Sequence, residues 1–247
     1  MPRLDNMLVA RGLAATRSRA QDLIRRGFVT VAGLAVTKTG HETANDAEIA
    51  LSHAAPRFVS RGAEKLIAAL DHFGFDPAGR LVADIGASTG GFTEVLLERG
   101  AAHVTAIDVG HAQLHPSLRD DPRITVRERT DARTLAASDF VRPIDAVTAD
   151  VSFISLEKAL PHVLDLAASG AWLIALIKPQ FEAGREHVGK GGIVRDAAAS
   201  AAAVQRVAAW LETRGWRVAG TLPSPITGGD GNQEFLIGAH KPAMGTA

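Results

Sequence analysis

Residues 81–91, LVADIGASTGG, leave this chain few folds to choose from. The apolar run Leu81-Val82-Ala83 reaches an acid, Asp84, and then a turn of Gly86, Ala87, Ser88, Thr89, Gly90 and Gly91. Residues 92–98 follow with helical periodicity. Buried strand, small-residue turn and helix, in that order, is how an open α/β sheet makes a ligand site at the carboxyl ends of its strands. Gly86 and Gly90 permit a tight path with close backbone approach, and the helix opening near Thr89 offers unpaired N–H groups. No Gly-Lys-Ser/Thr closes the turn, so it is not an ATPase phosphate loop, and its glycines do not keep the dinucleotide spacing. A nucleoside-bearing ligand other than ATP or NAD fits better.

A second strand over 103–107 ends in Asp108, the position from which such folds grip ribose hydroxyls. Asp84 followed by Asp108 therefore reads as a site for S-adenosylmethionine, with the glycine turn and its Ser88 and Thr89 against the methionine part. On this stretch alone, an ordinary strand–turn–helix of another class, such as a dehydrogenase, stays open. Asp131 follows a third strand and is placed to reach the adenine side; a plain loop acid is the alternative.

Further strands are expected over 124–126, 144–149, 171–177, 216–221 and 234–238, with helices over 63–73, 156–168 and 196–214. Seven strands with intervening helices predict an α/β fold, a doubly wound, Rossmann-like sheet over residues 63–242. Residues 1–56 predict a small α+β module, residues 57–62 a linker marked by Pro56, and residues 243–247 a tail. The chain has no cysteine, which removes disulfides, thiolate nucleophiles and cysteine zinc sites. No apolar run reaches membrane-spanning length and no signal core opens the sequence, so a cytoplasmic protein without stable membrane association is expected.

Net charge is zero, but its distribution is uneven: residues 1–40 carry seven Arg or Lys and two acids. A basic amino-terminal module on a mildly acidic body suits a polyanionic partner. Residues 4–12 predict a short helix and residues 17–26 a second, capped by Thr16 or Ser18 and stopped by Gly27. Residues 28–38 have the pattern of a hairpin, and 48–51 that of a short strand. The stretch RLDNMLVARGLAATRSRAQDLIRRGFVTVAG resembles the S4-type RNA-binding domain, although the family's Val-Asn-Gly turn is Val31-Ala32-Gly33 here. That resemblance implies phosphate contacts from Arg3, Arg17, Arg19, Arg25 and Arg26; a solvated helix face is the alternative.

Four residues stand where the fold delivers side chains to one cleft. Lys65 lies in the helix before the first sheet strand, Asp150 ends the fourth strand, Lys178 ends the fifth, and Glu234 opens the last. Lysine is scarce, six against twenty-one arginines, which makes lysines at strand ends less casual, though chance stays open at each position singly. Such a set suits methyl transfer to a hydroxyl, a poor nucleophile whose proton must leave as the sulfonium carbon approaches. A second cation and partial burial favour an amine able to take that proton. Lys178 is then the base, Asp150 and Lys65 its orienters, and Glu234 fixes the opposite wall. Phe153 can flank a base or pack in the core. The glycine-rich loop over 182–195 can close on RNA phosphates through Arg185 and Lys190, or be a flexible connection. His187 lacks clustered partners, so no metal is expected.

The chain is similar to the hemolysin A (TlyA) family of ribosomal RNA 2′-O-methyltransferases, which join an S4 domain to an FtsJ-like (RrmJ-like) methyltransferase domain. The matching pieces are RLD near the start, VSRGAEKL, ADIGASTGGFTE, AIDVG, DVSFISL, LIKPQFEAGR and GNQEF. Ala63-Glu64 and Glu94 depart from the family's usual residues beside the functional positions. The resemblance implies a catalytic set on Lys65, Asp150, Lys178 and Glu234, S-adenosylmethionine as cofactor, and cytidine in ribosomal RNA or ribosomal subunits, not DNA, as substrate. A non-catalytic RNA-binding or assembly protein with a vestigial methylase fold is the competing expectation. A hemolysin is a third, and no amphipathic basic helix outside the folded modules supports it.

Overall fold

The computed structural model describes residues 1–14, 17–52 and 58–243, without the Ser18 side chain. Contacts divide the chain into two compact units, Met1–Arg61 with His115–Ser117 and Gly62–Leu114 with Leu118–Ala247.

The first unit contains α1 (Leu4–Ala10), α2 (Arg17–Arg25), β1 (Val29–Val31), β2 (Leu34–Ala35) and β3 (Ile49–Leu51). The strands form an antiparallel sheet in the order β2-β1-β3. Leu4 and Leu8 of α1, Leu23 and Ile24 of α2, and Val29 of β1 close its core. Each such buried aliphatic side chain contributes about 1.5–3 kcal/mol relative to exposure. The β1–β2 turn uses Ala32 at φ 48° and Gly33 at φ 78°, the double positive φ that a two-residue hairpin needs. The expected cap at Thr16 and the boundary at Pro56 lie outside the described residues, as does the Ser18 side chain.

The second unit runs α3 (Gly62–Phe73), β4 (Leu81–Ile85), α4 (Gly91–Glu98), β5 (His103–Ile107), α5 (Pro116–Arg119, of which Leu118 and Arg119 fall in this unit), β6 (Ile124–Arg127) and β7 (Ile144–Ala149). It continues with α6 (Leu156–Ala159), α7 (Pro161–Leu166), β8 (Ala167–Ile177), α8 (Pro179–Glu182), α9 (Ala197–Thr213), β9 (Arg217–Pro223) and β10 (Phe235–His240). The sheet order is β6-β5-β4-β7-β8-β10-β9. β4 to β8 run parallel, and β10 is antiparallel to both β8 and β9. From β4 the chain steps outward to β5 and β6, then returns to β4's other side for β7. That reversal puts a crevice beyond the carboxyl ends of β4 and β7. The inner strands are buried on both faces, which is why β4, apart from Asp84, and β8 from Ala171 onward read as apolar runs rather than alternating ones.

The helix expected over 156–168 is two short helices, broken before Pro161, which has no N–H to continue the first and starts the second at its N1 position. β8 then begins at Ala167, earlier than expected. Glu234 stands one residue ahead of β10 rather than on it.

Candidate active site

Gly86 leaves β4 at φ 79°, and a Cβ there would stand 2.5 Å from the Asp150 carbonyl oxygen. Only glycine lets the turn pass this close to the exit of β7. The Gly86 and Ala87 N–H groups donate to the Ile107 carbonyl (2.8 and 3.1 Å), which ties the turn to the end of β5. Gly90, at φ 96°, is the N-cap of α4, and a Cβ there would collide with Leu118 and Leu114. Beside this turn lies a cleft of about 450 Å³ lined by, among others, Gly86, Ser88, Asp108, Asp131, Asp150 and Phe153. Its size falls in the roughly 300–1,000 Å³ of small-ligand sites.

The expected cofactor residues divide between wall and scaffold. Asp108 faces the cleft, its Oδ2 accepting from Ser88 N (2.8 Å) and its Oδ1 from Gly110 N (2.7 Å). Each oxygen keeps a second lone pair for a ligand hydroxyl. Asp131 lines the cleft too, but Arg133 holds both of its oxygens (Nη2 to Oδ2 2.6 Å) and pulls its carboxyl below the usual range. Asp84, Thr89 and Gly90 are not among the lining residues. Asp84 is fully buried and accepts from the Thr93 and Thr148 hydroxyls (2.7 and 2.9 Å), clipping β4 to α4 and β7. Burial pushes its carboxyl up to about 6 against those two hydrogen bonds.

Four side chains at the carboxyl edge form two ion pairs. Lys178 Nζ lies 2.7 Å from Asp150 Oδ1 and donates to Ser152 Oγ at 2.8 Å. Lys65 Nζ lies 2.5 Å from Glu234 Oε2, and both of these side chains are buried. The two pairs stand at one edge because β10 is antiparallel: Phe235 is opposite Ile177, so the next residues outward are Glu234 and Lys178. Gly228 leaves room for the Glu234 carboxylate, which a Cβ there would approach to 2.5 Å.

Phe153 is no core residue: it is 91% exposed, at φ 66°, with its ring centroid 5.1 Å from that of Phe181. Arg185 and Lys190 are exposed in the 3-10 turns Arg185–His187 and Lys190–Gly192. In the first unit, buried Asp5 takes Arg3 and Arg17 (3.1 Å each), and Asp22 pairs with Arg19 (3.8 Å) and Arg26 (3.6 Å). Arg26 also lies over the Phe28 ring, and Arg25 is exposed. Among the described residues no group of three or more His, Asp or Glu side chains is arranged to hold a metal ion.

Comparison with known proteins gives this site a family. The FtsJ-like methyltransferase family matches residues 58–241 and the S4 domain family residues 2–42. The 16S/23S rRNA (cytidine-2′-O)-methyltransferase TlyA of Mycobacterium tuberculosis is 46% identical over 95% of this chain and 88% of its own length. This chain belongs to the TlyA family. Another member, Hemolysin A of Brachyspira hyodysenteriae, is 39% identical over 95% of this chain and 98% of its own. A solved Streptococcus thermophilus structure superposes with a TM-score of 0.79 at 39% identity, covering 97% of this chain and 88% of that one.

Two residues of this TlyA-family chain escaped the sequence reading. Glu182 is buried in α8, accepts from Leu156 N (2.8 Å) at the start of α6, and pairs with Arg206 of α9 (3.4 Å). Asn232, 1% exposed, accepts from Val194 N and donates to Gly192 O (2.9 Å each), fastening the glycine-rich loop beside Glu234. Both lie in motifs quoted for the resemblance, LIKPQFEAGR and GNQEF, but their partners are 24 to 40 residues away, where no local pattern points.

Proposed function

We propose that this protein transfers a methyl group from S-adenosylmethionine to the 2′-hydroxyl of a cytidine in ribosomal RNA. The observation that carries the reading is the Lys178–Asp150 pair at 2.7 Å, whose acid lines the cleft beside the glycine turn. The residues fit the cofactor: Gly86 keeps the backbone bare where the turn meets the cleft, and Asp108 retains lone pairs for ribose hydroxyls. When bound, the cofactor supplies an electrophilic methyl group on a positively charged sulfur.

This chain's residues then prepare the nucleophile. Lys178 Nζ takes the 2′-hydroxyl proton through its lone pair as the oxygen attacks. Asp150 and Ser152 aim that nitrogen from two sides. Lys65 and Glu234, buried as a pair, fix the wall at the mouth of β8 and β10 against which the ribose lies. Phe153, exposed and backed by Phe181, offers a face to the base of the target nucleotide. Arg185 and Lys190, with Arg3, Arg17, Arg19, Arg25 and Arg26 of the amino-terminal module, take phosphates. The family match over 2–42 supports an RNA-binding module over 1–56 and that over 58–241 a catalytic domain over 63–242; the second match already takes in residues 58–62 of the segment 57–62 read as a linker.

The name of the Brachyspira relative raises membrane lysis; among the described residues no helix is long and apolar enough to cross a membrane. The test is to incubate unmodified ribosomal subunits with the protein and methyl-labelled cofactor, then digest the RNA to nucleosides. Label in 2′-O-methylcytidine is expected. Label on a base, or none with a protein that binds both the cofactor and RNA, would overturn the reading.

A further inference from the structure

The loop that leaves β5 is held largely by a side chain from outside it. After Asp108 it turns back through Gly110 and Ala112, and Ala112 has φ 52°, a left-handed conformation uncommon for a residue with a Cβ. That conformation makes three successive N–H groups converge. All three point at one side chain: Glu128 Oε2 accepts from Ala112 N (2.6 Å), and Oε1 from Gln113 N (2.7 Å) and Leu114 N (3.0 Å). Arg119 closes the arrangement, donating to Glu128 Oε1 (2.6 Å) and, through Nε, to the Leu114 carbonyl (2.9 Å).

Glu128 follows β6, and its neighbours carry the same tie to Asp108. Arg129 N donates to Gly110 O (2.8 Å), Thr130 N to Asp108 O (3.0 Å), and Asp108 N to Arg127 O (3.0 Å). Gly110, the backbone donor to Asp108 Oδ1, is pressed against Gln113, whose Cγ would be 2.7 Å from a Cβ at that position. Gln113 lines the cleft, and Leu114 packs at the foot of the Gly90 turn. One carboxylate thus holds the curl that aims Asp108 and supplies part of the cleft wall.

We propose that Glu128 is a positioning residue for cofactor binding, fixing the loop over residues 108–114 so that Asp108 meets the ribose hydroxyls. This rests on the reading of Asp108 as the ribose acid. An amide cannot replace the carboxylate, because its NH₂ would face converging N–H donors and its charge would be lost beside Arg119. Burial opposes a charge here, but the three amide donors and Arg119 outweigh it and hold the carboxyl at about 2, so it is ionised wherever the protein is folded at neutral pH.

The test compares calorimetric affinities for S-adenosylhomocysteine and its 2′,3′-dideoxy analogue in the wild type, Glu128→Gln and Glu128→Asp. The wild type should lose roughly 10- to 100-fold on removal of the ribose hydroxyls, the worth of hydrogen bonds to a charged group. In Glu128→Gln that penalty should shrink several-fold, with affinity for the dideoxy ligand and for RNA little changed. Glu128→Asp keeps the charge but lacks the reach for all three amides, so its penalty should be intermediate; it serves if the Gln variant does not fold. A full ribose penalty in both variants, or equal weakening of both ligands, would overturn the positioning role. A wild type indifferent to the hydroxyls would instead overturn the reading of Asp108, and the proposal with it.

Discussion

At the scale of single residues, acids in the second unit do three different jobs, and their surroundings decide which. Asp84 is enclosed and spends its oxygens on two hydroxyls, so it builds the turn instead of meeting a ligand. Asp150 is partly open and pairs with a lysine, so it can aim that side chain's nitrogen toward the cleft. Asp108 is held by two backbone donors with lone pairs to spare, so it can receive a ligand. Replacing Asp108 with Ala is expected to weaken S-adenosylmethionine binding by roughly 1–3 kcal/mol, the scale of a hydrogen bond to a charged group. Calorimetry reads this directly, and an unchanged affinity would remove Asp108 from the ribose. The sequence identified these acids by their places at strand ends, because a parallel strand delivers its last side chain to the same edge every time. It could not tell Asp84 from Asp108, since the difference lies in Thr93 and Thr148, whose hydroxyls arrive from α4 and β7. Nor could it show that Asp131 is taken by its own neighbour Arg133.

At the scale of elements, the segments after β7 and β8 are joined by the buried Glu182. Its carboxylate reaches the first N–H of α6, just beyond Phe153, from a helix that begins right after Lys178. Arg206 of α9 donates to the Glu182 carbonyl as well as pairing with the carboxylate. Burial pushes the Glu182 carboxyl up to about 7 despite the Leu156 N–H and Arg206, which favour its charged form. A carboxyl raised from 4.5 to about 7 binds its proton more tightly in the folded chain than in the unfolded one. Its contribution to stability is therefore greatest below pH 4.5, falls as pH rises through that window by at most about 1.4 kcal/mol per pH unit, and is level above it. Glu182→Gln cannot titrate, so the stability of the wild type relative to the variant should fall as pH rises from 5 to about 7. Urea midpoints across that range would show it, and a difference independent of pH would contradict it. Helix α8 itself was not legible beforehand: four residues carry no period, and the partners of Glu182 lie in α6 and α9. The strands of the sheet and α9 were legible because length and burial gave them a pattern, and the exception over 156–168 came from one proline.

At the scale of the whole molecule, a chain of zero net charge carries its basic excess in the first 40 residues. Asp5 and Asp22 lie among the arginines of that module, orienting Arg3 and Arg17 in one case and Arg19 and Arg26 in the other. Changing Arg25 and Arg26 together to Ala is expected to weaken RNA binding across sequences and to flatten its dependence on salt by about one to two units of log–log slope. An unchanged slope in filter-binding titrations would take the second helix out of the RNA contact. The same scale shows why the catalytic unit needs its last strand to run backwards. Only an antiparallel β10 brings Glu234 to the edge where β8 ends, and so sets the Lys65–Glu234 pair beside Lys178 and Asp150.

The most direct test of the account is single-turnover methyl transfer to ribosomal RNA by the wild type, Lys178→Ala and Lys178→Arg, at saturating RNA and cofactor and over a range of pH. Removing a general base typically costs about 10²–10⁴-fold in rate. Both variants should lose that much while binding the cofactor as the wild type does, because a guanidinium keeps its proton and cannot accept another. A Lys178→Arg enzyme with the wild-type rate constant and pH profile would contradict the account.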